Sequence, residues 1–278
     1  MSDPTGWGFA EGDPITAELT AVRRLGGGSA YEAYLAFDEI TYGPVVAKLV
    51  RPDRVEDEHS LRSLADEVEA LATVNHPVVV RGLRHQLTGD RPHLVMEAID
   101  GPRLSSLLRR YGPLQEQQYL PLAIEVASSL HYLRRIGWTH LDLKPSNSIM
   151  GAPARVIDLS GARPVERAAR ADRIGTDAYM SPEQWDPDRY GAPSPASDVW
   201  GFGATLFEAV AGHRAYDEPG DELAALPDRV PTEVAKVLSA CLEVRPEDRP
   251  LPHEIAEALE PVLERQPPVR LGGGLRTR

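Results

Sequence analysis

The most specific group of reactive side chains lies in one short segment, Thr139–Asn147, which reads Thr-His-Leu-Asp-Leu-Lys-Pro-Ser-Asn. It places a carboxylate (Asp142), an ammonium (Lys144) and an amide (Asn147) in a loop that Pro145 stiffens. Phosphoryl transfer needs such a set: a carboxylate to orient a hydroxyl, a cation for the γ-phosphate and an oxygen ligand for Mg²⁺. Each residue alone is also typical of an ordinary turn, so the prediction depends on their joint occurrence.

Two further carboxylates and one lysine extend this set. Asp158 ends a short apolar run, and a strand end that opens into a cleft is a common place for a metal ligand. Lys48 lies within the apolar run Val45–Val50, where a buried ammonium needs a partner. Glu67 lies on the apolar face of a predicted helix, between Leu64 and Leu71. We therefore predict a Lys48–Glu67 ion pair.

An alternative for Lys48 is an edge-strand lysine that prevents aggregation. The chain contains only three lysines, Lys48, Lys144 and Lys236, and its other basic residues are arginines. A compact ammonium retained at position 48 therefore favours a phosphate contact.

A glycine run, Leu25–Ser29, lies between two strand-like segments. Glycines there would let backbone N–H groups approach phosphates. The signal alone is weak, because a hairpin turn has the same composition and the pentapeptide Arg-Leu-Gly-Gly-Gly recurs at Arg270–Gly274.

The elements that must position these residues change character along the chain. Strands are predicted at Thr20–Val22, Tyr31–Ala36, Val45–Val50, Val78–Val80 and Leu94–Met96. Helices are predicted over residues 60–74, in a segment that ends at Gly137, and from Asp198 to Gly212. A strand-rich part followed by a helix-rich part predicts an α+β fold with two lobes that join near residues 97–101.

At this point the sequence resembles the protein kinase family, from about Ala21 to Pro250. The motifs that carry the resemblance are the Gly-rich loop (Leu25–Gly28), the VAIK strand (Val45–Lys48), the helix glutamate (Glu67), the HRDLKPxN loop (His140–Asn147), the DFG segment (Asp158–Ser160), the GTxxYMSPE segment (Gly175–Glu183), the DxW helix start (Asp198–Trp200) and the RPxxRP segment (Arg245–Pro250). The resemblance implies a bilobal fold with a small β-rich N-lobe (about 15–97) and a larger helical C-lobe (about 101–265). Residues 1–14 then form an N-terminal arm and residues 266–278 a flexible tail.

The resemblance also implies a role for each matching residue. The catalytic residues would be Asp142 as base, Lys144 as the γ-phosphate contact, and Lys48, which holds the α/β-phosphates, with its partner Glu67. The ligands of Mg²⁺, or of Mn²⁺ as the alternative cation, would be Asn147 and Asp158. The ATP-contacting residues would be Leu25, Gly26, Gly28, Ala33, Ala47, Lys48, Met96, Glu97, Ile99 and Ile149. Glu183 and Arg249 would form a buried ion pair.

The substrate class follows from the same resemblance. Lys144 after Asp142 is similar to the Ser/Thr-kinase pattern, and Gly175–Glu183 is a peptide-docking segment that small-molecule phosphotransferases lack. The expected activity is therefore transfer of the γ-phosphate of Mg·ATP to Ser or Thr hydroxyls of proteins, and Pro182–Gln184 is similar to bacterial members. The alternative is a pseudokinase, an ATP-binding regulatory or scaffold module.

Departures from the family pattern bear on regulation. Tyr31 replaces the third loop glycine, Ala33 the usual valine over the adenine, and Ser160 the glycine of DFG. Leu141 replaces an arginine that normally pairs with an activation-loop phosphate, so the pattern is of the non-RD type. The loop from Gly161 to Ile174 also contains no hydroxyl residue. The hypothesis is that phosphorylation within that loop does not regulate the kinase.

Composition limits the other function classes. The formal net charge of −12 disfavours nucleic-acid binding. The single cysteine, Cys241, excludes an internal disulfide, and its apolar helical context predicts burial. No stretch of 18 apolar residues and no signal peptide is found, so we expect a cytoplasmic protein without a membrane anchor in this chain. ATP and protein substrates are the expected partners, with a regulatory protein as a further candidate.

Overall fold

The computed structural model describes residues 6–170, 173–216 and 222–266, and the chain divides into two compact units. The first unit comprises Met1–Gly101 and Arg155–Arg163, and the second comprises Pro102–Ala154 and Pro164–Arg278. Strands dominate the first unit and helices the second, so the predicted α+β class is confirmed. The predicted tail lies outside the described residues, apart from Gln266.

The first unit is built on a five-stranded antiparallel sheet with the strand order β1-β2-β3-β5-β4. Its strands are β1 (Leu19–Gly27), β2 (Tyr31–Asp38), β3 (Gly43–Val50), β4 (Gly82–Gln86) and β5 (His93–Glu97). Side chains alternate between the two faces of each strand. In β3 this alternation buries Val45, Ala47 and Leu49 in a core cluster that also contains Tyr34 of β2. Lys48 therefore points to the opposite face.

The helix α1 (Glu58–Thr73) packs against this sheet. Asp57 caps its N-terminus, because its carboxylate accepts hydrogen bonds from the backbone N–H and the hydroxyl of Ser60. Leu64, Glu67 and Leu71 are buried, at the helical spacing that the sequence predicts. The apolar face of α1 thus carries Glu67 into the interior.

The predicted strand at Val78–Val80 is wrong. These three valines are buried, but Val78 lies in a turn, and only Val79 forms an isolated bridge, with Val156. Two backbone hydrogen bonds, Val80 N–H to Val156 O and Val156 N–H to Val78 O, complete the contact. The strand that pairs with β5 at the edge of the sheet is instead β4. It is largely exposed and its sequence contains no apolar run, so the sequence pattern did not predict it.

The described part of the N-terminal arm, from Gly6 onward, packs on the core of the first unit. The Trp7 indole donates to the Val50 carbonyl at 2.8 Å, and its backbone N–H donates to the Glu32 carboxylate at 2.9 Å. The Trp7 and Phe9 rings are stacked 5.8 Å apart, and the guanidinium of Arg91 lies over both. The arm therefore closes one side of the sheet.

The second unit is helical. Its helices are α2 (Leu104–Tyr111), α3 (Glu116–Arg135), α4 (Val165–Ala168), α5 (Pro182–Trp185), α6 (Pro187–Tyr190), α7 (Pro195–Ala211), α8 (Thr232–Cys241) and α9 (Pro252–Glu264). Short 3₁₀ helices lie at Pro52–Arg54, Pro145–Asn147, Asp177–Tyr179 and Pro246–Asp248, and two-residue strands are β6 (Trp138–Thr139), β7 (Ser148–Ile149), β8 (Arg155–Val156) and β9 (Arg163–Pro164).

The central helix of the second unit is α7. Ser194 caps its N-terminus, Pro195 occupies its first turn, and Gly212 ends it with a φ of 85°. Most of its residues are buried, and Cys241 of α8 is buried against it next to Gly203. Within the described part of the chain, none of the helices is both long enough and apolar enough to span a membrane.

Candidate active site

The ion-pair centre of the first unit is Lys48 on β3. Its ammonium Nζ lies 2.6 Å from Glu67 Oε2 and 3.0 Å from Asp158 Oδ1, so the predicted Lys48–Glu67 pair is confirmed. Glu67 is only 1% exposed, whereas Asp158 is 35% exposed. Burial alone would lower the pKa of Lys48, but the two carboxylates outweigh burial and raise the pKa above its usual value. Lys48 is therefore held as a cation.

The glycine run continues β1 rather than forming a simple turn. Gly26 has a φ of 149°, which favours glycine, and a β-bulge precedes it opposite Tyr34 and Ala33. A Cβ on Gly27 would lie 2.6 Å from the Tyr31 carbonyl oxygen, so a side chain there would displace the backbone of β2. Gly28 has open space around its Cα, as a contact to a ligand would require.

The predicted adenine-contacting residues occupy different faces of the sheet. Ala33 pairs with Lys48 across β2 and β3, and the two share one face. Ala47 does not belong to this face: it is 0% exposed in the core cluster, opposite Lys48. The prediction for Ala47 is therefore wrong, because it overlooked the alternation of β3. Val46, two residues before Lys48 and opposite Met96 of β5, lies on the Lys48 face instead.

The remaining predicted nucleotide contacts of the first unit lie along β1 and at the end of β5. Leu25 and Ile99 are half-buried, and Met96 is 8% exposed. The Glu97 backbone N–H donates to Arg81 O, and the Glu97 carboxylate pairs with Arg155 and accepts from the Arg81 N–H. These bonds fix the end of β5 before the chain enters the second unit.

In the second unit, the residues predicted to form a catalytic loop surround one carboxylate, that of Asp142. Lys144 Nζ donates to Asp142 Oδ2 at 2.6 Å, and the Thr176 hydroxyl donates to Asp142 Oδ1 at 2.7 Å. Lys144 also donates to the Thr176 hydroxyl at 2.6 Å, which closes a triangle. Asn147 donates to the Asp142 carbonyl and carboxylate at 3.0 and 3.2 Å. The structure therefore brings Asp142, Lys144 and Asn147 together, and adds Thr176.

Asp198 of α7 holds the backbone of this loop in place by two hydrogen bonds. Its two carboxylate oxygens accept from the backbone N–H groups of His140 and Leu141 at 2.8 and 2.7 Å. Burial raises the pKa of Asp198 to about 7, although both N–H donors favour the ionised form. Leu141 has a φ of 62°, and this strained backbone is held by these bonds and by the Gln184 side chain, which donates to its carbonyl.

Leu141, which is 5% exposed, lines a mainly apolar cavity of about 230 Å³ together with Ile174, Trp185 and Arg173. The Arg173 guanidinium donates to Asp177 at 2.9 Å and stacks over the Trp185 ring. The leucine is therefore an ordinary packing residue of the second unit.

Each unit offers an oxygen atom of the kind that hard divalent cations prefer. In the first unit, Asp158 has a half-exposed carboxylate. In the second unit, the Asn147 amide nitrogen donates to Asp142, which leaves its oxygen as the possible ligand atom. Over residues 6–170, 173–216 and 222–266, no group of three or more His, Cys, Asp or Glu side chains could hold a metal by itself. Mg²⁺ typically takes one or two protein oxygens and completes its shell with water and substrate phosphates.

The comparisons with known proteins agree with these arrangements. The family model described as "Protein kinase domain" matches residues 19–260. The chain belongs to the protein kinase family. It is 33% identical over 251 residues to a probable serine/threonine-protein kinase, PkwA, of Thermomonospora curvata, covering 86% of this chain and 33% of that protein. It is 30% identical over 261 residues to the serine/threonine-protein kinase PknK of Mycobacterium tuberculosis, covering 91% of this chain and 22% of that protein.

A third relative is the serine/threonine-protein kinase PknB of Mycobacterium leprae, 30% identical over 198 residues, which cover 68% of this chain and 31% of that protein. The chain thus spans a third or less of the length of these relatives. It is a protein kinase domain of the bacterial Hanks-type Ser/Thr class, and the two units correspond to the bilobal kinase fold.

Within the kinase domain, the predicted Glu183–Arg249 ion pair is also confirmed. Arg249 donates to both Glu183 oxygens at 2.6 and 2.8 Å, and both side chains are 0% exposed. Sequence reasoning missed two contacts, the Thr176 hydroxyl on Asp142 and the Trp7 anchor of the arm. Thr176 had a signal, the Gly-Thr pair that opens the GTxxYMSPE segment, whereas Trp7 lies outside every motif.

Proposed function

We propose that this domain transfers the γ-phosphoryl group of Mg·ATP to Ser or Thr hydroxyls of protein substrates. The observation that carries the proposal is the Asp142 carboxylate, held at both oxygens by Lys144 and Thr176. A carboxylate in this setting is oriented and acceptor-only, which is what a base that receives a substrate hydroxyl proton requires.

The roles of the other residues follow from their charges. Lys48 is kept cationic by Glu67, so it is suited to bind α/β-phosphate oxygens as a point charge. Lys144 has two oxygen partners within 2.6 Å, and its ammonium would stabilise charge on a transferred phosphoryl group. When bound, Mg²⁺ neutralises phosphate charge, and Asn147 and Asp158 would be its protein ligands. Mg²⁺ is the proposed cation and Mn²⁺ the alternative, because oxygen donors suit both, and activity measured with each cation separates them.

The proposed activity is independent of phosphorylation in the activation loop. Leu141 supplies no cation for a phosphate, and the Gly161–Ile174 loop has no hydroxyl residue. After the loop, the Thr176 hydroxyl binds Asp142 and Lys144, and Ser181 is buried. Phosphatase-treated protein should therefore retain its turnover rate. Inert dephosphorylated protein, reactivated by phosphate at Thr176 or Ser181, would contradict this regulation.

The main experiment compares wild-type protein with Asp142→Asn in Mg²⁺, labelled ATP and a generic protein acceptor. Loss of the base should lower turnover by about 10²–10⁴-fold while nucleotide binding persists. Asp188→Asn is the matched control, because Asp188 is an exposed acid on α6 outside the site. Its turnover should equal that of the wild type.

The alternative is a pseudokinase that binds ATP as a regulatory or scaffold module. The substitutions at Tyr31, Leu141 and Ser160 favour this alternative, whereas the intact Lys48 and Asp142 clusters favour turnover. The same experiment separates the two, since a pseudokinase binds ATP and shows no turnover in the wild type. The whole protein's substrates, regulatory partner and cytoplasmic location remain proposals of the same kind.

A further inference from the structure

Tyr31 stands where the protein kinase pattern has the third glycine of the Gly-rich loop. It is the first residue of β2, and in the antiparallel register it pairs with Val50, while Ala33 pairs with Lys48. Tyr31 is thus a diagonal neighbour of Lys48 on the same face of the sheet. An aromatic side chain at this position fills space that a glycine would leave empty.

The Tyr31 side chain crosses from the sheet to helix α1. Its hydroxyl donates to the Ser60 carbonyl at 2.6 Å. Its ring lies 4.9 Å from Lys48 Nζ, in cation–π geometry. Burial raises the pKa of Tyr31, so the hydroxyl stays a donor at neutral pH.

The two attachment points of α1 lie on one side of the helix. Ser60 and Glu67 are seven residues apart, which is about two turns and returns to the same face. Ser60 binds Tyr31 of β2, and Glu67 binds Lys48 of β3. Two contacts separated by about 10 Å along the axis restrict both the rotation and the tilt of the helix.

We infer that Tyr31 is a positioning residue that holds α1 in the orientation in which Glu67 pairs with Lys48. The hydroxyl fixes the first turn of α1, and the ring covers the ammonium from the sheet side. This anchor is built into the first unit, so the ion pair forms without any phosphate on the activation loop. The inference deepens the proposed function and rests on it only where ATP turnover is the readout.

The affinity for ATP should depend on the fraction of molecules in which α1 has the paired orientation. If the paired orientation is only partly populated, the apparent nucleotide affinity falls by the same fraction. Saturating ATP restores the paired orientation, so KM for ATP rises while kcat changes little. Loss of one neutral hydrogen bond corresponds to about a 2- to 10-fold change.

The test uses Tyr31→Phe, which removes only the hydroxyl, and Tyr31→Gly, which restores the family residue. Hydrogen–deuterium exchange is followed at the amides of Glu58–Glu67, together with KM and kcat for ATP. The control is Tyr34→Phe, because Tyr34 lies on the other face of β2 and its hydroxyl binds Glu32 rather than α1. Tyr31→Phe should accelerate exchange in the first turns of α1 and raise KM about 2- to 10-fold. Tyr31→Gly should do both more strongly, and Tyr34→Phe should do neither.

The exchange readout keeps this inference separate from the proposed activity. If the wild type has no turnover, faster exchange at α1 in Tyr31→Phe but not in Tyr34→Phe still supports the positioning role. Exchange at α1 that is unchanged in both Tyr31 variants overturns it, whatever the turnover. A fall in kcat of Tyr31→Phe at constant KM would also overturn it, since that result assigns Tyr31 to the chemical step.

Discussion

The buried ion pair between Glu183 of α5 and Arg249 allows a quantitative test of how the segment after Thr176 is held. Arg249 donates to both oxygens of Glu183, and the Ser197 hydroxyl donates to Oε1 at 2.7 Å. Glu183→Gln keeps the shape but leaves a 0%-exposed guanidinium without its counter-charge. Removing one partner of such a pair destabilises a protein by about 3–5 kcal/mol.

The reciprocal change, Arg249→Met, strands the carboxylate and also removes donors from the carbonyls of Ala196, Glu243 and Val244. It should therefore cost at least as much as Glu183→Gln. In the double variant no buried charge is left unpaired, so its loss should be smaller than the sum of the single losses. We expect a coupling energy of about 2–3 kcal/mol.

Urea unfolding followed by tryptophan fluorescence measures these free energies. A Trp7→Phe background confines the signal to the second unit, because Trp138, Trp185 and Trp200 all belong to it. A double variant whose loss equals the sum of the two single losses would refute the reasoning, since it would show that the charges do not interact.

The same variants carry a pH signature. Burial alone would raise the pKa of Glu183, but the hydrogen bonds and charge of Arg249 lower it below its usual 4.5. A group with a lowered folded-state pKa contributes stability that is complete above its unfolded pKa and is lost as the pH falls through its folded pKa. The stability difference between wild type and Glu183→Gln should therefore be constant from about pH 7 to 5 and shrink below about 4.5.

Three further predictions concern single positions. Leu141→Arg places a guanidinium in the apolar cavity beside Arg173 and should cost about 3 kcal/mol or more in urea unfolding, part of which Arg173→Glu recovers. Asp198→Asn replaces one carboxylate oxygen with an NH₂ group, so that a donor faces a backbone N–H donor, and should cost about 1–3 kcal/mol, with a parallel loss of turnover if the loop is displaced. Trp7→Ala should destabilise the first unit by about 2–4 kcal/mol in urea unfolding, and Trp7→Phe by less, because phenylalanine keeps the stack on Phe9.

Local periodicity was sufficient for most of the framework. The apolar spacing of α1 predicted both its extent and the inward direction of Glu67. Such features depend on residues that are close together in the sequence, so the sequence alone reveals them. The Lys48–Glu67 pair followed because a buried charge requires an opposite charge.

The errors arose where non-local contacts decide the outcome. Val78–Val80 has the composition of a strand, but its pairing is limited to a single bridge between Val79 and Val156. No local sequence pattern reveals that limit. Ala47 was placed by motif position rather than by the face of its strand, and its burial corrects this. The Tyr31–Ser60 bond joins a strand to a helix 29 residues away, so only the folded chain shows it.

Because the chain has only three lysines, the reactivity of each one toward acylating reagents can be measured separately. Acylation requires the neutral amine as the nucleophile, and Lys48 is kept protonated by Glu67 and Asp158. Lys144 is only 21% exposed and pairs with Asp142. Lys236 lies exposed on α8 and serves as the internal reference. Peptide mapping after limited acylation should therefore find Lys236 modified first. A state of the domain in which Glu67 is separated from Lys48 should be detected as increased acylation of Lys48.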